Sequence, residues 1–359
     1  MRKIYLVRHG QPEMPDGRKY CIGKTEAVLS CFGRLQAALA GEYTRSMGAR
    51  AVFSSCQLRA VETAASFGRE YETVMGLQEA DAGIWDGLAF DEIRCRWPEL
   101  YAARGEDRGI LPPGGEDYDS QLSRFSRGLS TAEKSAEGDF VLISHLCVMQ
   151  TFLGSLLGLE PNDFRRLEIP CGSITTLEYD GQGGFNILSL GQLPALPLTD
   201  GLCKTLLSAA GADKELCLHC AAVSKKTAAL CGQLKAAGLE LDTGLARAAA
   251  ALHDIARGHS DHAAVGGEWL RELGYPRHGE IIARHMDIEP GAPLDESAVV
   301  YIADKLVKGG RAVTLAERFD GSLGRCTTPQ ALAAHNARRQ AAMNIAEKIN
   351  NVCGKELIK

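Results

Sequence analysis

Residues 4–10 read Ile-Tyr-Leu-Val-Arg-His-Gly, an apolar run followed at once by two basic side chains and a glycine. A continuous apolar run of this length is typical of a strand that is covered on both faces. In α/β sheets, ligands bind at the carboxyl ends of strands, where Arg8 and His9 would lie. Gly10 would allow the backbone to approach a ligand closely. Taken alone, the pair also fits a surface arginine and a histidine bonded to the backbone.

Two later segments repeat this arrangement. The apolar run 51–53 is followed by Arg59 in the first turn of a predicted helix, and the run 140–144 is followed directly by His145. Glu79 lies in the chain between these two segments. Short strands that alternate with helical runs predict a first domain of the α/β class, with a mostly parallel sheet and helices on both faces.

The length and composition predict a globular protein of two domains or one large one. The chain has 359 residues, at roughly 150 residues per domain, and its 45% of hydrophobic residues and 24% of charged residues are typical of soluble proteins. The formal charge of −5 indicates no electrostatic surface for nucleic acid or anionic lipid, so small molecules are the expected partners. The 12 cysteines have no repeated paired spacing and the first apolar run is too short for a signal peptide, so a cytoplasmic location is expected.

The stretch 140–159 contains no Lys, Arg, Asp or Glu and is long enough to cross a membrane. Ser144, His145 and Gln150 lie near its middle, however, and favour a buried strand that turns into a buried helix. We therefore predict that this stretch is not a membrane span.

A passage with several Gly and Pro residues over 181–213 predicts a connecting segment, so we place the domains at 1–198 and 214–359. From residue 214 onward, apolar residues recur at helical spacing and no strand run is evident, which predicts an all-α domain. The predicted helices cover 215–237, 244–255, 262–273, 277–286, 294–307 and 329–352.

The ordered set of two arginines and two histidines resembles the histidine phosphatase family, also called the phosphoglycerate mutase-like family, over about residues 1–190. The resemblance implies that Arg8 and Arg59 bind a phosphate dianion and neutralise charge in a loose transition state. His9 would attack phosphorus to form a phosphohistidine, and His145 would hold another phosphoryl oxygen. Glu79 would act as the general acid for the leaving group, and this domain would need no cofactor.

The first domain has no clear counterpart of the longer insertions by which sugar-phosphate mutases enclose a bisphosphate. Water is therefore the expected phosphoryl acceptor, which favours a phosphatase over a phosphomutase, although the phosphomutase stays open as an alternative. Small histidine phosphatases that act on α-ribazole phosphate share this compact layout. The resemblance therefore offers α-ribazole phosphate as one substrate of the first domain.

A second candidate site begins with His253 and Asp254, which follow an apolar helical run. Adjacent side chains on a helix point about 100 degrees apart, so both can bind one metal ion only if other helices supply further ligands. His219 lies on the preceding predicted helix, and Asp304 lies on a later one. This order of residues resembles the HD-domain metal-dependent phosphohydrolases over about residues 213–320.

The resemblance implies that four side chains bind one divalent ion: His219, His253, Asp254 and Asp304. His262 and His285 fall where two-metal members of that family carry extra histidines, so the domain would hold one or two ions. Mixed imidazole and carboxylate ligands suit Fe, Mn, Co, Ni or Zn better than Ca. Arg257 and Lys305 are candidate phosphate contacts, or else solvated cations.

The sequence therefore predicts a bifunctional phosphohydrolase that acts on small-molecule phosphate esters or nucleotides. The first domain would hydrolyse a phosphate monoester, and the second would use a divalent metal to hydrolyse a nucleotide or a cofactor precursor. In the alternative, the HD domain is a non-catalytic sensor that binds metal or nucleotide and regulates the phosphatase. Turnover by the second site distinguishes the two.

Overall fold

The computed structural model describes residues 1–289 and 291–358. The chain divides into two compact units, Met1–Leu196 and Pro197–Lys359. The strands of the first unit are β1 (Arg2–Arg8), β2 (Ala51–Ser54), β3 (Glu72–Thr73), β4 (Phe140–Ser144), β5 (Ile174–Tyr179) and β6 (Phe185–Gln192). Its α-helices are α1 (Cys31–Ser46), α2 (Leu58–Ala65), α3 (Phe90–Arg96), α4 (Pro98–Glu106), α5 (Tyr118–Ser135) and α6 (Leu146–Leu156).

The strands of the first unit form a mixed sheet in the order β3-β2-β4-β1-β5-β6. Neighbouring strands within β1 to β4 are parallel to one another. By contrast, β5 is antiparallel to β1, and β6 is antiparallel to β5. The predicted α/β class with a mostly parallel sheet is therefore confirmed. Because β1 and β4 lie side by side at the centre, the residues that follow them leave the sheet at neighbouring points of one edge.

Side chains of the central strands alternate between two cores, one on each face of the sheet. In β1, Ile4 and Leu6 pack in the core that contains Phe125 and Phe152, while Tyr5 packs on the opposite face. Both faces of the strand are therefore buried, which is the physical reason for its uninterrupted apolar sequence. Burial on both faces also fixes the register of β1 and hence the position of the residues after it.

The prediction of a connecting segment over 181–213 is wrong in part. The glycines after Asp180 form a turn that leads into β6, and the helix α7 (Asp200–Ala209) follows in the second unit. As the last strand of the sheet, β6 is only partly buried, so its sequence lacks the strong apolar run of a central strand. The Gly and Pro residues mark the ends of these elements rather than a long loop.

The second unit is helical, as predicted. Its further helices are α8 (Lys214–Ala236), α9 (Thr243–Leu252), α10 (His262–Glu272), α11 (Pro276–Ala283), α12 (Glu296–Lys305), α13 (Leu315–Leu323) and α14 (Pro329–Cys353). A small antiparallel hairpin, β7 (Val307–Lys308) and β8 (Arg311–Ala312), follows α12 and was not predicted. The predicted metal ligands of this unit lie on or next to three of these helices. His219 lies on α8, His253 and Asp254 directly follow α9, and Asp304 lies on α12.

The stretch 140–159 forms the buried strand β4 and the helix α6, in agreement with the prediction. Within residues 1–289 and 291–358, no helix combines the length and the apolar character needed to cross a membrane.

Candidate functional site

The register of the sheet brings the two predicted histidines of the first domain together. Arg8, at the end of β1, lies opposite Ser144, at the end of β4. His9 and His145 follow these residues, and their ring centroids are 5.0 Å apart. Both rings are buried. Residues that are 136 positions apart in the chain thus form one cluster at the carboxyl edge of the sheet.

Hydrogen bonding fixes which nitrogen of His9 is free. Its Nδ1 lies 2.7 Å from the carbonyl oxygen of Gly10, and because that oxygen can only accept, Nδ1 carries the proton. The unprotonated Nε2 lies 3.3 Å from Nε of Arg59. Burial, and then the charges of Arg59 and Arg8, lower the pKa of His9 well below its ordinary value. His9 is therefore a neutral imidazole, and the lone pair of its Nε2 accepts a hydrogen bond from Nε of Arg59.

The loop after β1 holds His9 because two backbones pass in close contact there. A Cβ atom on Gly10 would lie 2.2 Å from the carbonyl oxygen of Gly33, so only glycine fits at this position. Gly33 lies in the first turn of α1, where its N–H donates to the side chain of the N-cap residue Ser30. The start of α1 therefore supports the His9 loop.

Backbone carbonyl groups hold the two predicted arginines. Arg59 is fully buried, and its guanidinium donates to the carbonyl oxygens of Gly23 and Thr25, each at 3.0 Å. Arg8 donates to the carbonyl oxygen of Ile169 at 2.7 Å, while its buried Nε has no hydrogen-bond partner among the described residues. Two fixed guanidinium groups beside His9 can bind the oxygens of a phosphate dianion.

The side chain of Ser55, which directly follows β2, holds the ring of His145. Its Nε2 lies 2.8 Å from Oγ of Ser55, and its Nδ1 is buried without a hydrogen-bond partner. Burial, and then the positive charge of neighbouring groups, lower the pKa of His145 well below its ordinary value. The ring is therefore neutral, and its Nδ1 stays without a partner among the described residues.

Backbone N–H groups hold the carboxyl group of Glu79 near the same edge of the sheet. Its carboxyl oxygens accept from the N–H groups of Ala80, Cys147 and Val148 at 2.9, 3.1 and 3.2 Å, and the last two belong to the first turn of α6. Gln57 also takes part, because its Oε1 accepts from the N–H of Glu79 and its Nε2 donates to the carbonyl oxygen of Gly23. Arg8, His9 and Glu79 line one cavity of about 1050 Å³.

The sequence analysis missed Ser55 and Gln57. Ser55 directly follows β2, and Gln57 is the N-cap residue of α2. The same signal that singled out Arg8 and His145, a polar side chain just after a buried strand, would have found both.

In the second unit, side chains from separate helices form a buried cluster. His219 comes from α8, His253 and Asp254 follow the last turn of α9, and Asp304 comes from α12. Nε2 of His219 lies 3.1 Å from Oδ1 of Asp304, and Nε2 of His253 lies 3.6 Å from the same oxygen. Because α9 ends at Leu252, the adjacent His253 and Asp254 both turn toward the cluster.

His262 and His285 extend this cluster on the other side of Asp254. Their Nε2 atoms lie 3.1 and 3.5 Å from Oδ1 of Asp254, while Nε2 of His253 lies 3.5 Å from Oδ2. The carboxylate of Asp254 therefore lies between two groups of imidazoles. This arrangement is suited to two ions that share one carboxylate.

The protonation pattern fits a metal centre. Nδ1 of His253 lies 2.8 Å from the carbonyl oxygen of Ala250, and Nδ1 of His285 lies 2.7 Å from that of Ile282, so both Nδ1 atoms carry protons. Among the described residues, the buried Nε2 atoms of both rings have no hydrogen-bond partner. Burial lowers the pKa of His253, but the Asp304 carboxylate outweighs burial and raises this pKa well above its ordinary value, which favours a proton on Nε2 until an ion displaces it. Imidazole nitrogens next to buried carboxylates are the ligand atoms that Fe, Mn, Co, Ni and Zn accept. The residues present therefore fit a divalent ion.

The two predicted phosphate contacts of this unit instead touch the aspartates. Nζ of Lys305 is buried, and it donates to Oδ2 of Asp304 at 2.8 Å and to the carbonyl oxygen of His285 at 3.2 Å. This position favours a role for Lys305 in holding Asp304. Arg257 forms an ion pair with Asp254. Arg318, which the sequence analysis missed, lies 3.7 Å from Asp304.

The mixed α/β sheet thus carries histidines and arginines at its carboxyl edge, and the helical unit carries a separate buried cluster of histidines and aspartates. The model of the histidine phosphatase superfamily (branch 1) matches residues 4–192, and that of the HD domain matches residues 218–309. The protein belongs to the histidine phosphatase superfamily and carries an HD domain in the same chain.

Individual relatives match about half of the chain. The bifunctional protein Rv2228c of Mycobacterium tuberculosis is 34% identical over 196 residues, which are 53% of this chain and 54% of that one. The 6-phosphofructo-2-kinase/fructose-2,6-bisphosphatase of Gallus gallus is 32% identical over 179 residues, which are 49% of this chain and 37% of that one. The chain thus spans about half or less of the length of these curated relatives.

Among solved structures, the mycobacterial glucosyl-3-phosphoglycerate phosphatase Rv2419c is 24% identical, with a TM-score of 0.47. The match covers 53% of this chain and 99% of that chain.

Proposed function

We propose that the first domain hydrolyses phosphate monoesters through a phosphohistidine at His9. The observation that carries this proposal is the unprotonated Nε2 of His9, held by the Gly10 carbonyl group and facing Nε of Arg59 at 3.3 Å. Nε2 would form a bond to phosphorus while the bond from phosphorus to the ester oxygen breaks. Arg8, Arg59 and His145 would bind the other phosphoryl oxygens.

Glu79 would move the protons of this reaction. In the first half of the cycle its carboxylic acid donates a proton to the departing ester oxygen. In the second half its carboxylate accepts a proton from the water that attacks the phosphohistidine, and inorganic phosphate leaves. Its place on the wall of the cavity, beside Arg8 and His9, supports this role.

The direct test is to trap the covalent intermediate. Protein is mixed with a phosphate-labelled monoester, quenched in alkali and analysed for acid-labile phosphate. We expect labelling of the native protein and none of His9→Ala, while the control His278→Ala, a histidine of the second unit outside both clusters, labels normally. Undiminished labelling of His9→Ala would remove His9 as the nucleophile.

For the second domain we propose metal-dependent phosphohydrolysis of a nucleotide or a phosphorylated cofactor precursor. The buried, unpartnered Nε2 atoms of His253 and His285 carry this proposal. When bound, a divalent ion would activate water and withdraw charge from a phosphoryl oxygen. The ligands of a first ion would be His219, His253, Asp254 and Asp304. His262 and His285 would hold a second ion and share Asp254 with the first.

This activity is best measured in His9→Ala protein, in which the first site is inactive. Metal content is determined, and a panel of nucleotides and phosphate esters is then assayed with and without chelator. We expect bound metal and a hydrolysis that chelator and His253→Ala both abolish. Metal and nucleotide binding without any hydrolysis would instead favour the alternative, a sensor domain that regulates the phosphatase.

A further inference from the structure

Glu79, the proton donor of the proposed reaction, lies on a segment without regular secondary structure. Residues 74–81, between β3 and the short 3-10 helix Gly83–Trp85, belong to no helix or strand. Such segments are usually more mobile than the elements that they connect, whereas a general acid must stay within hydrogen-bond reach of the leaving oxygen. Contacts from outside the segment therefore have to hold Glu79 in place.

Arg124 of α5 supplies most of these contacts. Its guanidinium donates to the carbonyl oxygens of Gly76 at 2.8 Å, Gln78 at 2.6 Å and Glu79 at 3.1 Å. It also donates to the two carboxyl oxygens of Glu116, at 2.6 and 2.7 Å. A guanidinium has five N–H donors, so each of them has an acceptor here.

Ser144 holds the one carbonyl group in this stretch that Arg124 does not bind. Its Oγ donates to the carbonyl oxygen of Leu77 at 2.7 Å. Side chains therefore bind all four consecutive carbonyl groups of residues 76–79. Ser144 ends β4 and directly precedes His145, so the segment of Glu79 is fixed to the strand end that presents that histidine.

The same segment lies in direct contact with the backbone of α5. A Cβ atom on Gly76 would lie 2.4 Å from the carbonyl oxygen of Arg124, and one on Gly128 would lie 2.8 Å from that of Met75. Gly76 also has a φ of 98°, which favours glycine. Backbone contact therefore sets the short distance that the Arg124 side chain spans.

Glu116 extends this support to the other side of Glu79. Its Oε2 accepts from the N–H of Asp81 at 3.3 Å, and its own N–H donates to the carbonyl oxygen of Asp81 at 3.0 Å. The side chains of Arg124 and Glu116 are only 17% and 18% exposed. A bidentate pair with so little exposure keeps its geometry better than an ion pair at the surface. The chain is thus fixed both before and after Glu79.

We propose that Arg124, paired with Glu116, is a positioning residue that holds Glu79 where it can protonate the leaving oxygen and later accept a proton from water. The inference rests on the proposed phosphatase function, because it gives Arg124 a role only through Glu79. Arg124 is not among the described residues that line the cavity in front of His9. It therefore acts on the position of Glu79 rather than on the substrate.

The first test compares kcat/KM of full-length variants on two esters: an alkyl phosphate, whose leaving oxygen needs a proton, and nitrophenyl phosphate, whose leaving group does not. In Arg124→Gln and Arg124→Lys we expect the value for the alkyl phosphate to fall by about 10-fold to 100-fold, the usual effect of a misplaced catalytic group. The value for nitrophenyl phosphate should stay nearly native, which also shows that the variants are folded. Because lysine keeps the positive charge, a loss in Arg124→Lys reports on position rather than on charge.

The matched control is Arg127→Gln. Arg127 is exposed, lies about one turn further along α5 and donates to Ser123. This variant should keep native values on both esters. Glu116→Gln, which weakens the pair but leaves Arg124 in place, should show a smaller loss than Arg124→Gln with the same dependence on the leaving group.

Two further measurements separate positioning from a purely structural role. Glu79 would also activate the water that attacks the phosphohistidine, so label introduced from nitrophenyl phosphate should be lost more slowly from Arg124→Gln than from the native protein in a chase experiment. In the double variant, adding Arg124→Gln to Glu79→Gln should lower kcat/KM for the alkyl phosphate little further, because residues that act as a unit are not additive.

Equal losses of Arg124→Gln on both esters, or losses that add in full to those of Glu79→Gln, would overturn this inference and leave Arg124 as part of a structural ion pair. Native values of kcat/KM in Arg124→Gln would overturn it as well. If Arg124→Gln does not fold, Arg124→Lys and Glu116→Gln decide by the same criteria. A native protein that neither forms phosphohistidine nor hydrolyses either ester would instead overturn the proposed phosphatase function, and this inference with it.

Discussion

His9 and His253 each donate the Nδ1 proton to a backbone carbonyl oxygen, at distances of 2.7 and 2.8 Å. Each therefore turns its Nε2 toward its site. The neighbours of that nitrogen differ: Nε of Arg59 lies 3.3 Å from His9, whereas Oδ1 of Asp304 lies 3.6 Å from His253. Positive neighbours suit a nucleophile for an anionic substrate, and negative neighbours suit a ligand of a cation. The same ring orientation thus serves two kinds of chemistry.

The buried position of His9 leads to a prediction about pH. Burial, and then the charges of Arg59 and Arg8, lower the pKa of His9 well below 6.5, so the ring stays neutral as the pH falls through that value. Because protonation would remove the nucleophile, activity is lost only at a lower pH than an ordinary histidine would give. The pH profile of kcat/KM, which reports on the free protein, checks this once the ionisation of the substrate has been subtracted. An enzyme ionisation near 6.5 that removes activity on the acid side would contradict it.

Glu79 is predicted to matter most for substrates with poor leaving groups. A general acid typically contributes about 10²-fold to 10⁴-fold, so Glu79→Gln should lower kcat/KM for an alkyl phosphate by that order. A nitrophenyl phosphate, whose leaving group needs no proton, should lose far less. Steady-state rates on the two esters measure the difference. An equal loss on both would indicate that Glu79 binds or positions the substrate instead.

At the scale of elements, the His/Asp cluster depends on how closely two helices approach. A Cβ atom on Gly267 of α10 would lie 2.7 Å from the carbonyl oxygen of Gly279 of α11, and one on Gly279 would lie 2.4 Å from that of Gly267. The two backbones are therefore in direct contact. His262 begins α10 and His285 follows α11, so this contact sets the spacing of two predicted ligands.

We therefore expect Gly267→Ala to separate the helices. The free energy of unfolding should fall by about 1–3 kcal/mol, the usual effect of an overpacked contact, and metal affinity should fall with it. Denaturant unfolding and metal titration measure the two effects. The matched control is Gly232→Ala, in α8, where a Cβ atom meets no neighbour within 4 Å and should stabilise the helix by about 0.5–1 kcal/mol. A stable Gly267→Ala protein with native metal affinity would disprove this packing argument.

At the scale of the whole molecule, two compact units each carry a complete set of candidate reacting groups. His9, His145 and both arginines belong to the unit Met1–Leu196, and the His/Asp cluster belongs to the unit Pro197–Lys359. The proposed chemistry is also separate, since one site forms a covalent bond to a side chain and the other uses a cation. The proposed functions therefore place one separate site in each unit.

Independence of the sites can be measured directly. Divalent metal at about 100 times its Kd should add about 2.7 kcal/mol to the stability of the second unit, and His253→Ala should abolish this gain. Neither metal nor His253→Ala should change the rate at which the first site hydrolyses a phosphate ester. A metal-dependent change in that rate, absent in His253→Ala, would instead support regulation by the HD domain.

The sequence could predict the fold class and the families because their signals are local. The two-sided burial of β1 requires the apolar run 4–7, and the residue after a strand is at the edge of a sheet wherever that strand lies. The helical unit was equally evident from apolar spacing. The edge strand β6 was missed because it buries little, and the hairpin after Asp304 because each of its strands has only two residues.

The sequence by itself determined that this chain has an α/β domain and a helical domain. It also identified the histidines, arginines and aspartates that can bind ligands or react. Only the tertiary structure decided that His9 lies beside His145, that Ser55 holds His145 and that Lys305 donates to Asp304. These facts depend on contacts between residues far apart in the chain. Burial and hydrogen bonding in the packed protein set them, and no local pattern of residues records them.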